Sequence, residues 1–339
     1  MVMIRKIAAA LAALLIGIAA LGGLFVYANL HKPYQGFTEP VFVDFKRGTS
    51  TAEMAAELEG RGVVQARWLF LAARLARRGT QLQAGEYQFV KPATPLEVYS
   101  RIAKGDIFHV ELTIPEGYNL WDIAGALEKQ GITKLGTIRV EAFLAAARNP
   151  AIIKDLDPKA TSLEGYLFPD TYRIYRHTTA EQLCKQMTNE FRARWKLMGS
   201  AADVHNTVTL ASLVEREAKL PEEAPKVSSV FHNRLKGGIK LDCDPTTVYA
   251  ALLENRYRGV IHKSDLESTN PYNTYKHAGL PPGPIANPGI RAIRATLEPV
   301  ESKWLFFVAK ADGSGGHNFS ESLSQHLAAV ATYRKNTAR

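Results

Sequence analysis

Residues 41–64 read VFVDFKRGTSTAEMAAELEGRGVV, and residues 110–133 read VELTIPEGYNLWDIAGALEKQGIT. The two stretches match at a constant offset of 69. Val41, Val43 and Phe45 fall on Val110, Leu112 and Ile114 as alternate residues of a strand, Gly48 falls on Gly117 in a turn, and Leu58 falls on Leu127 in a helix. A period of two, then a glycine turn, then helical spacing spells a strand-turn-helix unit, here written twice. The likeness continues: FLAAR from Phe70 returns as FLAAA from Phe143, and LQAGEYQF from Leu82 is echoed by LEGYLF from Leu163. Ser50 with Glu53, and Thr94 with Glu97 behind Pro95, have the spacing of capping boxes and start helices. The fold class expected is α+β: a small α+β module over residues 38–106, then a mixed α+β domain over 107–339 that opens on the second copy (107–200).

Ahead of the first copy, residues 7–28 read IAAALAALLIGIAALGGLFVYA, 22 residues without a charge. That is long enough to span a bilayer as a helix. Arg5 and Lys6 precede it, which places residues 1–6 in the cytoplasm and the body beyond the membrane. A cleaved signal has an apolar stretch of only about 7–15 residues, so an uncleaved anchor is the reading adopted, although Val26-Tyr27-Ala28 has the form of a cleavage site. The remaining chain, within a total of 339 residues that are 46% hydrophobic and 22% charged, is ordinary globular protein. A body in that compartment does not meet a genome, so nucleic acid is excluded as a partner despite a net charge of +9. Cys184 and Cys243 are no disulfide framework; they would form one bridge or stay as two buried thiols.

The texture changes from residue 205 onward. The apolar helix TLASLVEREAKLP (209–221) is followed by a second helix from about Glu222 to Leu235 and by LDCDPTTVYAALLEN. Next comes ESTNPYNTYKHAGLPPGPIANPG (267–289), a long loop rich in Pro, Gly and Asn, of the kind that carries binding or catalytic groups. WLFFVA and GHNFS then predict a hairpin, with a closing helix from about Glu321. No HExxH, GxSxG, GxxxxGKS or GxGxxG occurs, so neither a metal site nor a cofactor is expected. What stands out is acid in an apolar setting with aromatics and amides nearby, which suits a carbohydrate. Glu215 and Glu217 lie about 160–200° apart around their helix, so one faces substrate and the other meets a structural partner such as an arginine. A buried carboxyl holds its proton more tightly and is fitted to donate it to a glycosidic oxygen. The pattern does not say which of the two does so.

The order LEGYLFPDTY, TLASLVEREA, VFHNRL, DPTTVY, PYNTY, GLPPGPIANPG, LFFVA and GGHNFS resembles the YceG-like (MltG) family of endolytic murein transglycosylases. The resemblance implies a LysM-like module over 38–106 and a catalytic core over 205–339. It assigns the catalytic glutamate, the first of the ExE pair, to Glu215. It implies substrate contacts at Asp244, Tyr272, Asn273, Tyr275, Asn287, His317 and Phe319, with Glu217, Asp242 and Glu164 as structural partners or a second carboxylate. The family commonly has Gln where Asp242 stands, and Asp244, just before Pro245, would cap the next helix or orient substrate. By the same resemblance the chain is a single-pass protein of the bacterial inner membrane with its body in the periplasm. It would cut the MurNAc-GlcNAc β-1,4 bond inside nascent peptidoglycan strands, leaving a 1,6-anhydro end, beside peptidoglycan synthases as possible partners. The rival readings are a non-catalytic peptidoglycan-binding scaffold and a two-carboxylate glycoside hydrolase.

Overall fold

The computed structural model describes residues 2–77, 80–136 and 138–337, so chain ends 1 and 338–339, within the domain limits above, lie outside the described residues. The architecture is mixed α+β, in two units that divide between His109 and Val110. The first unit runs α1 (Val2–Leu30), β1 (Val41–Phe45), α2 (Thr51–Gly60), α3 (Arg67–Ala76), β2 (Gly85–Phe89) and α4 (Pro95–Lys104). Helix α1 is long and apolar enough to cross a membrane from Met3 to Leu30. Its last turns do not leave the protein: Leu30, 7% exposed, belongs to the same core as Val43, Phe45, Leu58, Phe70, Tyr87, Val98 and Ile102, with Val26 packed on it. Strands β1 and β2 pair antiparallel with Val43 opposite Tyr87, so alternate side chains enter that core.

The second unit begins β3 (Val110–Thr113), α5 (Leu120–Lys129), α6 (Val140–Ala147), β4 (Thr171–Ile174) and α7 (Ala180–Met198). This repeats the order of the first unit from β1 to α4. The N-caps Ser50 and Asn119 both close capping boxes, with Glu53 and Asp122 at the third helical position. Each such cap is worth about 1 kcal/mol, and the turns before them hold Gly48 and Gly117 at φ +91° and +80°, where a side chain is disfavoured. Matching core positions are all buried: Val43 with Leu112, Phe45 with Ile114, Met54 with Ile123, Leu58 with Leu127. One part of the expected match is corrected. The counterpart of GEYQF is TYRI in β4, which pairs antiparallel with β3, and not LEGYLF. Residues 163–168 are buried without alternation and form irregular turns, because Leu167 N–H donates to Asn287 Oδ1 and not to a neighbouring strand.

The chain continues through α8 (Val204–Glu217), α9 (Ala224–Lys236), α10 (Asp244–Leu253), α11 (Lys263–Leu266) and α12 (Ile290–Leu297). The hairpin of β5 (Phe306–Ala309) and β6 (His317–Ser320) and helix α13 (Leu323–Thr337) follow. Helix α8 is buried from Thr207 to Val214 and is packed by α9, α10 and α12. The backbone turns extended at Ala218, three residues before Pro221, so the helix ends with both glutamates in its last turn. Residues 267–289 carry neither helix nor strand, yet Ile285, Ala286, Asn287, Pro288 and Gly289 are buried. Ile285 N–H donates to Ser212 Oγ at 3.0 Å, which ties this loop to α8. Cys184 and Cys243 are both buried and free.

Candidate active site

Helix α8 delivers Glu215 and Glu217 to its C-terminal end, where the helix dipole already disfavours negative charge. The two side chains take different neighbours, as their angular separation requires. Glu215 is half-buried, and its Oε2 accepts a hydrogen bond of 2.9 Å from the backbone N–H of Gly289, the N-cap of α12. On another flank lies Gly117, whose missing side chain would stand 3.4 Å from Glu215 Cγ, while Arg216 Nη1 donates to the Gly117 carbonyl at 3.0 Å. Burial raises the proton affinity of Glu215 and the charge of Glu116 pushes the same way; the Gly289 N–H, Arg291 and Arg216 pull against them, and the balance lies above the ordinary carboxyl range. Glu116 is itself paired to Arg291 at 2.7 Å. It lies so close over Gly289 that any Cβ there would fall 1.9 Å from its Oε1.

Glu217 does not meet an arginine. Its Oε1 accepts from the thiol of Cys243 at 3.2 Å, a correction to the expected ion pair. Burial raises the Glu217 carboxyl; Cys243 is raised too, by burial first and then by Glu217, and so remains a thiol donor. Asp244 and His317 act on Glu217 through their charges, with opposite signs. Asp244 does not cap α10: the cap position is Cys243, and Asp244 instead accepts from Tyr275 Oη at 2.7 Å. His317 is held by Glu223, which accepts from its backbone N–H at 2.9 Å and meets Nδ1 at 2.7 Å. Burial alone would raise Glu223, but these bonds from His317 hold it below the usual range.

A third group is sealed beneath the Glu215 turn. Asn287 is fully buried; its Oδ1 accepts from Leu167 N–H, and its Nδ2 donates to Tyr118 O and to Glu164 Oε1, each at 2.9 Å. Glu164 Oε2 accepts from Leu120 N–H at 3.1 Å, and burial pushes its carboxyl up to about 8. One amide thus staples three loops, and the backbone pair Gly117 N–H to Asn287 O continues the seam to the glycine beside Glu215. Asn273 is buried in the same manner. Its Nδ2 donates to the carbonyls of Asp265, Leu266 and Ser268, and its Oδ1 accepts from Tyr275 N–H. Neither amide presents a free group to a ligand, which departs from their expected use as substrate contacts.

The other expected residues divide. Asp242, at φ +50°, accepts from Arg234 Nη1 at 3.0 Å, and Arg234 also binds three backbone carbonyls, so Asp242 belongs to a structural cluster. Tyr272 packs its ring 5.0 Å from that of Tyr249. Phe319 lies across the hairpin from Phe307 and 5.0 Å from Trp304. Tyr275, His317 and Phe319 keep part of their surface open, and Asp244 is exposed. Sequence reasoning missed Glu116, Arg291 and Glu223. The only trace of Glu116 was its place in the second copy of the repeat, where it stands at the position of Arg47 in the turn. Among the described residues, no group of three His, Cys, Asp or Glu could hold a metal ion.

The YceG-like family profile matches residues 43–332. An endolytic murein transglycosylase of Bacillus subtilis is 32% identical over 334 residues, spanning 92% of this chain and 91% of the relative. Another, from Streptococcus pneumoniae, is 32% identical over 79% of this chain, which spans 54% of that relative's length. A crystal structure at 2.6 Å of a yceG-like protein from Listeria monocytogenes matches with a TM-score of 0.54 and 29% identity, over 86% of this chain and 99% of that one.

Proposed function

This chain belongs to the YceG-like family, and from that membership we propose that it is an endolytic murein transglycosylase with Glu215 as its acid and base. The observation that carries the assignment is the setting of Glu215: half-buried, its proton affinity raised, with one oxygen held by Gly289 N–H. The protonated carboxyl donates to the β-1,4 glycosidic oxygen as the bond to C1 of MurNAc breaks. The carboxylate left behind then takes the proton of that sugar's 6-hydroxyl as its oxygen closes on C1. The 1,6-anhydro end forms, the released GlcNAc gains its 4-hydroxyl proton, and no water is consumed. An internal nucleophile supplies proximity that a second carboxylate would otherwise have to organise. We assign Asp244, Tyr275, His317 and Phe319, which keep open surface, to contact the glycan. Asn273, Asn287 and Glu164 hold backbone, Asp242 pairs with Arg234, Tyr272 packs, and Glu217 positions Cys243 and the start of α10. In this reading α1 anchors the chain in the inner membrane, with residues 1–6 inside, and the LysM-like module and catalytic unit face the periplasm beside the synthases.

The test is digestion of uncrosslinked glycan strands by the purified chain, read by mass spectrometry. Internal fragments one water lighter than hydrolysis products are expected, and Glu215→Gln, which keeps an acceptor for Gly289 N–H, should lose about 10²–10⁴-fold in rate. Reducing ends would replace this reading with hydrolysis. No product from the unaltered chain would leave a binding scaffold.

A further inference from the structure

Helix α3 is apolar on two opposite faces. Leu69, Phe70 and Ala73 enter the core of the first unit. At 100° per residue, Trp68, Leu71 and Leu75 fall within an arc of about 60° on the other side. They are 41%, 39% and 66% exposed, where a helix of a soluble protein turns polar residues outward. Arg67 and Arg74 share one flank of this stripe, and neither has an ion-pair partner among the described residues.

The neighbour of the stripe says what covers it. Phe25 of α1 stacks on Trp68, with ring centres 6.3 Å apart and planes 17° from parallel. About 20 helical residues cross the hydrocarbon layer. Counted from Ile7, the crossing ends near Val26, so Phe25 stands at the outer edge of that layer and the Trp68 ring lies beside it. Tryptophan favours that depth, and arginines favour the charged headgroups just above.

Resting on the reading of α1 as a membrane span, we propose that α3 lies in the interface of the leaflet from which α1 emerges. Trp68, Leu71 and Leu75 dip into the acyl boundary, and Arg67 and Arg74 meet the phosphates of anionic lipids. The face that would be a liability in water is the contact surface of the first unit with the bilayer. This fixes the tilt of that unit on the membrane, which a span alone leaves free.

The test uses the full chain in vesicles of phosphatidylcholine with phosphatidylglycerol. An environment-sensitive fluorophore is placed in turn at Ile16→Cys, Leu71→Cys and Leu75→Cys, Cys184 and Cys243 being buried. Lipids carrying a quencher high in the acyl chain at 71 and 75, and lipids carrying one near the end of the acyl chain at 16, should remove most of the emission, and aqueous iodide should remove little. Arg67→Ala with Arg74→Ala should halve the lipid quenching at 71 and 75 and leave 16 unchanged. If 16 is quenched by lipid while 71 and 75 are quenched by iodide, α3 faces water and the proposal is overturned with the anchor intact. If 71 and 75 are shielded from both quenchers, protein covers the stripe and the proposal is equally overturned. If 16 escapes the lipid quencher, the anchor itself fails and the proposal with it.

Discussion

The Glu215 carboxyl sits where two helices impose opposite fields: it leaves the C-terminal end of α8 and receives the N–H of Gly289, the N-cap of α12. The proposed catalytic cycle would ask it to hold a proton and then give it up, and this opposition would serve both. Glu116 biases the balance towards the protonated form. Removing that charge with Glu116→Gln lowers the proton affinity of Glu215 and frees Arg291 to lower it further. If Glu215 is the general acid it must be protonated at the start of the cycle, so the alkaline limb of kcat/KM should move to lower pH, and by less as salt screens the exposed pair. A limb that stays in place would show that Glu116 has no hold on Glu215. The two glutamates of α8 were legible in the sequence because acid in an apolar helix is conspicuous. Glu116 and Arg291 were not, since their contact joins positions 175 apart and each alone reads as a surface charge.

Among the elements, the junction of three loops at Asn287 and Glu164 decides how rigidly the Glu215 turn is held. Glu164 is an acid with its folded value raised from 4.5 to about 8 by burial. The folded state therefore binds a proton that the unfolded state releases. The stability this confers is full below about 4.5 and is lost as pH rises through about 8, an effect on the order of a few kcal/mol. Thermal midpoints of the intact chain should fall across that window, and Glu164→Gln should flatten the fall while lowering the midpoint at pH 5, since one donor of its amide must face Asn287 Nδ2 or Leu120 N–H. An unflattened curve would assign the pH dependence elsewhere. The repeated strand, turn and helix were readable because capping boxes and alternating core positions are local signals. The false echo at LEGYLF arose from the same kind of reading: composition matched, but the backbone there is claimed by Asn287, 120 residues away from Leu167, and no local pattern reports that.

On the scale of the whole molecule, two cores form, and the apolar helix α1 is part of the first. Leu30 is buried there while Leu21, on the same helix, is exposed. Leu30→Ala should therefore cost the first unit roughly 2–3 kcal/mol, and Leu21→Ala should cost it nothing, followed as hydrogen exchange of the Val43 and Tyr87 amides in detergent. Equal exchange in the two variants would mean that the helix merely hangs from the unit. Hydropathy and length were enough to find α1. They were silent on its second role, because a residue that plugs a core and one that faces lipid are equally apolar. The helix runs unbroken from Val2 to Leu30 and ends inside a packed interior, so there is no swivel between shaft and head. If α1 spans a bilayer as proposed, a tug on the first unit would reach the membrane as leverage on a rigid mast and tip it, where a slack cord would simply have stretched.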